Sequence, residues 1–270
     1  MAALQVSQEL EALGGEITKM LHSVERDPSR IAQLKVRLTF LQSSGRLPPV
    51  ITYSLLALVA ELEKDRERAV DLARSSIAAI VDASDDSTTS FTNALAVLAR
   101  FGLYREAFDR SIESIKRWPG NVPVVAAAIR QAYVAAQFDS GISLLNHLAL
   151  ILGGRLSIDM EKRYLSLLML KDMAEKLRMS EDDILDRRIV ARQAVLDFGL
   201  DAVWETHGPL RDGSFITRFH LAADRAKCSE CTFAIFDALG EKFEDTGMDL
   251  FSIICVPLED YYGPDQPPKP

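Results

Sequence analysis

Cys228-Ser-Glu-Cys231 is the densest chemical signal in this chain of 270 residues. Two thiols at that spacing can share one metal ion, and His220 or Cys255 can complete the ligand set. The same pair at the start of a helix can act as a redox couple, because the helix dipole lowers a thiol pKa there. No second Cys-x-x-Cys exists, and Cys255 lies in an apolar run where cysteine behaves as a small hydrophobe. Buried structural thiols, with no metal and no cofactor, are therefore the expectation, and the metal set Cys228, Cys231, His220 and Cys255 is the alternative. A second constellation consists of Glu205 and His207, two residues apart, and Arg218 and His220, also two apart. On neighbouring strands whose register joined the pairs, a carboxylate, two imidazoles and a guanidinium would meet on one solvated face. That group could run acid–base chemistry or hold an anion. No phosphate loop, dinucleotide fingerprint, His-Glu-x-x-His or nucleophile elbow accompanies either set.

The elements that would position these residues change character near Ala202. Val203–His207 and Phe215–Leu221 read as strands, joined through Gly208, Pro209, Asp212 and Gly213. Phe215, Thr217, Phe219 and Leu221 alternate onto what should be the buried face. A helix over 227–243 carries Cys231, Phe233, Ile235, Phe236 and Leu239 as its apolar positions, and 250–256 reads as a last strand. A strand–helix–strand crossover implies that its two strands are parallel. Such a thin module must pack its sheet on the helical body or pair a free edge with another chain. The tail 261–270 is rich in proline and reads as loose.

Before residue 200 the apolar residues recur at helical spacing. Leu13, Ile17 and Leu21 form one stripe; Asp27-Pro28-Ser29 breaks the chain, with Pro28 suited to a first helical turn. Ser180-Glu-Asp-Asp183 has the form of a capping box, opening a helix that carries Ile184, Leu185, Ile189 and Val195. Arg187, Arg188 and Arg192 on it form a local basic patch with acidic neighbours. Asp82–Thr89 reads as a solvated loop, lacking the glycine and closing glutamate of a calcium loop.

In the middle of this region stand Gly102, Tyr104, Ala107 and Pro119: a turn glycine, an aromatic, a small packing residue and a terminal proline. Small Ala107 and Ser114 let two helices approach closely, and Trp118-Pro119-Gly120-Asn121 stops the second. One period of about 34 residues later, Phe138 replaces Tyr104, Gly141 replaces Ala107, and Ala136 stands where the glycine was. Lys64–Ala69 with Ile77 and Ile80 looks like an earlier, degenerate copy. Over about residues 50–152 the chain thus resembles the tetratricopeptide repeat family. That resemblance implies stacked helical hairpins with a partner-binding groove on their first helices. The groove positions would be Asn93, Val97, Arg100, Arg130 and Gln131.

The totals restrict the function. With 48% hydrophobic residues the chain can bury a large core, and with a formal charge of -8 it is unsuited to phosphate contacts, which argues against nucleic acid. No apolar stretch is long enough to cross a bilayer, and the N-terminus lacks a secretory pattern, so a cytoplasmic protein is the expectation. The resulting expectation is a mainly α protein: an antiparallel, tetratricopeptide-like hairpin array over 1–200, a ββαβ module over 201–260, and a tail over 261–270. Its function would be that of a scaffold or adaptor rather than an enzyme, binding a protein or peptide partner. A basic toxin or effector that it neutralises or chaperones is one version, with self-association through the free sheet edge as an addition. The alternative is an enzyme or small-ligand sensor acting through the C-terminal module.

Overall fold

The computed structural model describes residues 2–23, 26–80, 84–209, 214–244 and 251–260, and the side chains of all of these except 2–8, 85, 86, 209 and 215. They form a helical array followed by a three-stranded sheet with one helix between its last two strands. The chain divides into two compact units, Met1–Gln131 and Ala132–Pro270. In this division the last helices before the sheet group with the sheet.

In the first unit, α1 (Ala2–Leu21) and α2 (Pro28–Ser43) precede the hairpin of α3 (Pro49–Leu62) and α4 (Arg66–Ala78). A second hairpin follows, α5 (Asp85–Arg100) and α6 (Tyr104–Arg117), and α7 (Val122–Val134) contains the division between units. Asp27 caps α2 by accepting from the backbone N–H of Ser29 and Arg30, and Pro28 occupies the first turn, where its missing N–H costs nothing. α3 is buried on almost every side, packing against α2, α4 and α5, while α1 also reaches it. Asp85–Thr89 is not a loop: Ser84 starts α5, and Ser87, Thr88 and Ser90 are buried in its opening turns. Asp82 and Ala83 lie outside the described residues.

The hairpin turns share one conformation. Lys64 (φ 61°), Gly102 (φ 79°) and Ala136 (φ 53°) each adopt the left-handed region two residues before the next helix. In each turn the following N–H donates back five residues: Asp65 to Ala60 at 2.9 Å, Leu103 to Leu98 at 3.0 Å, and Gln137 to Ala132 at 2.8 Å. This is the left-handed cap that satisfies the last carbonyls of a helix. Only Gly102 avoids the steric cost of that conformation.

The second unit continues with α8 (Phe138–Ile151), α9 (Ile158–Leu177) and α10 (Glu181–Asp197). A Cβ on Gly141 would stand 2.9 Å from Leu167 Cδ1 and 3.3 Å from Ala132 Cβ, so the absent side chain sets how closely α8 meets its neighbours. α10 opens with the full capping box of Ser180 and Asp183. Glu181 beside it accepts from Phe138 N (2.6 Å) and Asp139 N (3.0 Å), placing a carboxylate on the positive end of α8, whose own N-cap residue Gln137 offers no side-chain bond. Then come β1 (Ala202–Pro209), β2 (Phe215–Leu221), α11 (Arg225–Lys242) and β3 (Phe251–Pro257), ending in a 3-10 turn over Leu258–Asp260. The strand order is β1-β2-β3, antiparallel between the first two and parallel across the α11 crossover, as the strand–helix–strand pattern requires. Of the turn residues expected between the first two strands, Gly208 and Pro209 belong to β1, while Asp212 and Gly213 lie outside the described residues.

Candidate functional site

The register separates the two charged pairs that were expected to meet. Glu205 pairs with Phe219 and His207 with Thr217, whereas Arg218 pairs with Thr206 and His220 stands beside Trp204. Directly paired residues share a face, so Glu205 and His207 lie with Thr217 and Phe219 on the inner side, and Arg218 and His220 on the outer side. The cause is an irregularity between Ala202 and Trp204, which shifts the pairing by one residue from the alignment Ala202–Leu221. A shift of one residue exchanges the faces of every side chain in the strand. The expected four-residue surface is therefore corrected to two separate sets.

On the inner face the partners of Glu205 and His207 come from α10. The Arg188 side chain is fully buried, and Arg187 and Arg192 are buried as well, so the expected basic patch is interior. Arg188 Nη1 donates to the carbonyls of Tyr133 (2.9 Å) and Val134 (3.1 Å), the negative end of α7 within this unit. Its Nη2 stands 3.3 Å from His207 Nδ1, and the Thr217 hydroxyl is 2.8 Å from the same nitrogen. A guanidinium can only donate, so Nδ1 accepts and the imidazole proton sits on Nε2, facing Glu205 Oε1 at 3.2 Å. The Tyr133 ring meets the imidazole edge to face at 4.7 Å between centroids, and its hydroxyl donates to His207 O at 3.3 Å. Arg192 donates to Ala202 O at 2.9 Å and lies over the Phe219 ring.

Burial and the adjacent Arg188 charge push the His207 pKa down to about 4, so the imidazole is neutral at physiological pH. Burial works in the opposite direction on Glu205. The His207 imidazole 3.2 Å away, with the charges of Arg188 and Arg192, outweighs it and holds the carboxyl down at about 2. Burial raises Tyr133 to about 12. The His207 side chain has 0% exposure and that of Glu205 only 9%, so the cluster is an internal lock of charges and dipoles. The spacing of α10 carried a sign of it: Arg188 follows Ile184 by four residues and Arg192 follows Arg188 by four, on the apolar stripe itself.

On the outer face, His220 Nε2 is 2.8 Å from Thr206 Oγ1, and burial followed by the Arg218 charge lowers His220 to about 4. Cys255 pairs with Phe219 on the inner face, so His220 cannot join it in a ligand set. Among the described residues, no group of three or more His, Cys, Asp or Glu is placed to hold a metal. All three thiols are free and buried. Cys228 is not activated by the start of α11: burial, followed by the charges of Cys231, Asp224 and Asp260, raises it to about 11. Cys231 and Cys255 bond to each other side chain to side chain, which favours ionisation of Cys231 over Cys255. Cys228 and Cys255 line a shallow cleft of about 380 Å³ between α11 and β3, with Thr232, Phe233, Arg225 and Asp260 around it.

The groove positions are not open either. Val97 and Gln131 are buried. Arg100 forms a two-point pair with Glu61 of α3, at 2.5 and 2.7 Å, and Asn93 and Arg130 are half-buried. The inner side of α5 is covered by its own neighbours α3 and α4. The sheet edges are likewise partly closed by side chains: Tyr133 and Arg192 take carbonyls of β1, and Thr232 Oγ1 accepts the Cys255 N–H of β3 at 2.9 Å. The outer side of α11 in the second unit is open: Glu230, Phe233, Asp237 and Glu241 are exposed, Phe233 by 63%. Compared with known proteins, the chain matches no family model, no curated protein and no solved structure.

Proposed function

We propose that this protein works by protein–protein recognition, taking a basic protein or peptide on the acidic surface of its second unit. The observation that carries the reading is where the charge resides. Residues 1–131 contain 16 basic and 16 acidic residues, and residues 132–270 contain 15 and 23, so the whole net charge of -8 belongs to the second unit. Three of that unit's cations, Arg187, Arg188 and Arg192, are inside it, which leaves the surface more acidic still. An acidic surface speeds and orients association with a basic partner. On α11, Glu230, Phe233, Asp237 and Glu241 set carboxylates around an exposed aromatic ring, the composition of a contact that anchors an apolar side chain within a charged rim.

The equivalent turns at Lys64, Gly102 and Ala136 support the resemblance to tetratricopeptide repeats, and with it the scaffold reading. Neutralising or chaperoning a basic toxin or effector is the specific form that this acidity suits. The test is affinity purification of the tagged protein from its native host at moderate salt, with partners identified by mass spectrometry. A stoichiometric basic partner, lost on Glu230→Lys with Asp237→Lys and retained on Arg130→Glu, is the expected result. Retention through the α11 reversal, or a protein that returns alone, would overturn the reading.

A further inference from the structure

We propose that a second copy of this chain docks on α9, helix against antiparallel helix. This stands independently of the partner surface on α11. α9 has 20 residues, a length of about 30 Å. Its inner side buries Leu167, Leu170, Met173 and Ala174. Its outer side, where water-facing helices carry polar residues, instead exposes Ile158 (71%), Leu165 (59%), Met169 (44%) and Leu168 (39%). Ile158 and Leu165 are seven residues apart and Leu168 and Met169 complete the next turn, the spacing of a seam between two helices.

The charges on α9 indicate what covers the seam. Within a unit of net charge -8, this helix carries four acidic residues (Asp159, Glu161, Asp172, Glu175) and four basic ones (Lys162, Arg163, Lys171, Lys176). Its own charges therefore balance, so the helix does not repel its own copy. Order matters as much as balance. Glu161 and Lys162 precede Leu165, while Asp172, Glu175 and Lys176 follow Met169. An antiparallel copy, turned about a two-fold axis between Leu165 and Met169, packs each of these two on the other. It also sets Lys162 near Asp172 and Glu175, and Glu161 near Lys176. Lys162 and Asp172 are both exposed, and Asp172 already accepts from Lys176 within its own helix at 2.6 Å, so its carboxylate is presented outward.

The test is sedimentation velocity of the full chain over about 10–200 µM, the range in which an interface as small as one helix pair is populated. A concentration-dependent dimer is expected. Leu165→Glu should weaken it by about tenfold or more, with an unchanged thermal melt because Leu165 is a surface residue. Lys162→Asp should weaken it, and Lys162→Asp combined with Asp172→Lys should restore it. A monomer at every concentration, or a dimer indifferent to Leu165→Glu, would overturn the proposal. A dimer that the double exchange fails to restore would overturn the antiparallel arrangement.

Discussion

Arg188 is buried with its charge intact because two helix-end carbonyls, an imidazole nitrogen and a nearby carboxylate surround it. Removing one partner from such a set costs more than the set itself contributes, since the remaining groups stay buried. Arg188→Met should therefore destabilise the protein by about 3–5 kcal/mol in urea unfolding, and Arg188→Lys should not restore it, because an ammonium cannot bridge the same three acceptors. His207 makes the network sensitive to acid. Its pKa is about 4 in the fold, so between its ordinary value near 6.5 and pH 4 the unfolded chain binds a proton that the folded one does not. Stability is complete above pH 6.5 and falls as pH drops through that window, by about 2–3 kcal/mol. Glu205, held at about 2, extends the loss from its ordinary value of 4.5 downward. His207→Gln keeps a donor toward Glu205 and removes the titration, so its unfolding midpoints should depend less on pH between 6.5 and 4, with the slope from His220 remaining. An unchanged profile would reject the neutral assignment of His207.

At the scale of elements, three hairpins use the same left-handed cap with three different residues. Lys64 is exposed, so Lys64→Gly removes the steric cost without removing packing. It should raise stability by about 0.5–1 kcal/mol after the added freedom of the unfolded chain is counted. Gly102→Ala should lower stability by a similar amount, and paired thermal melts would check both. Gly102 announced its turn in the sequence because glycine is the residue that the conformation prefers. Lys64 and Ala136 announced nothing, since their conformation is imposed by the helices on either side. The same holds for Ser87 and Thr88: their composition reads as loop, yet burial in the first turns of α5 keeps them helical.

For the whole molecule, the decisive property is that its two units differ in charge. The first is balanced and the second carries the full excess of acid. Binding of a basic partner should consequently weaken as salt rises, mainly through a slower association rate, and surface plasmon resonance at two ionic strengths would measure it. A partner whose association rate ignores salt would contradict an electrostatic surface. Association through α9 should depend on salt far less, because its seam is apolar and its charges balance.

Period and punctuation were enough to determine the helical array, the order of strands and helix at the C-terminus, the break at Asp27-Pro28-Ser29, the capping box at Ser180, and the excess of acid. These are local or additive properties, and a chain carries them before it folds. The inner face of the sheet was decided only in three dimensions. An irregularity near Val203 set the pairing of β1, and one residue of slip turned Glu205 and His207 from the solvent side to the interior. Their cationic partners then came from α10, distant in sequence from β2 where Arg218 had been expected to serve. Neither register nor long-range packing is encoded in spacing along one strand, because each depends on which distant groups can satisfy a buried charge.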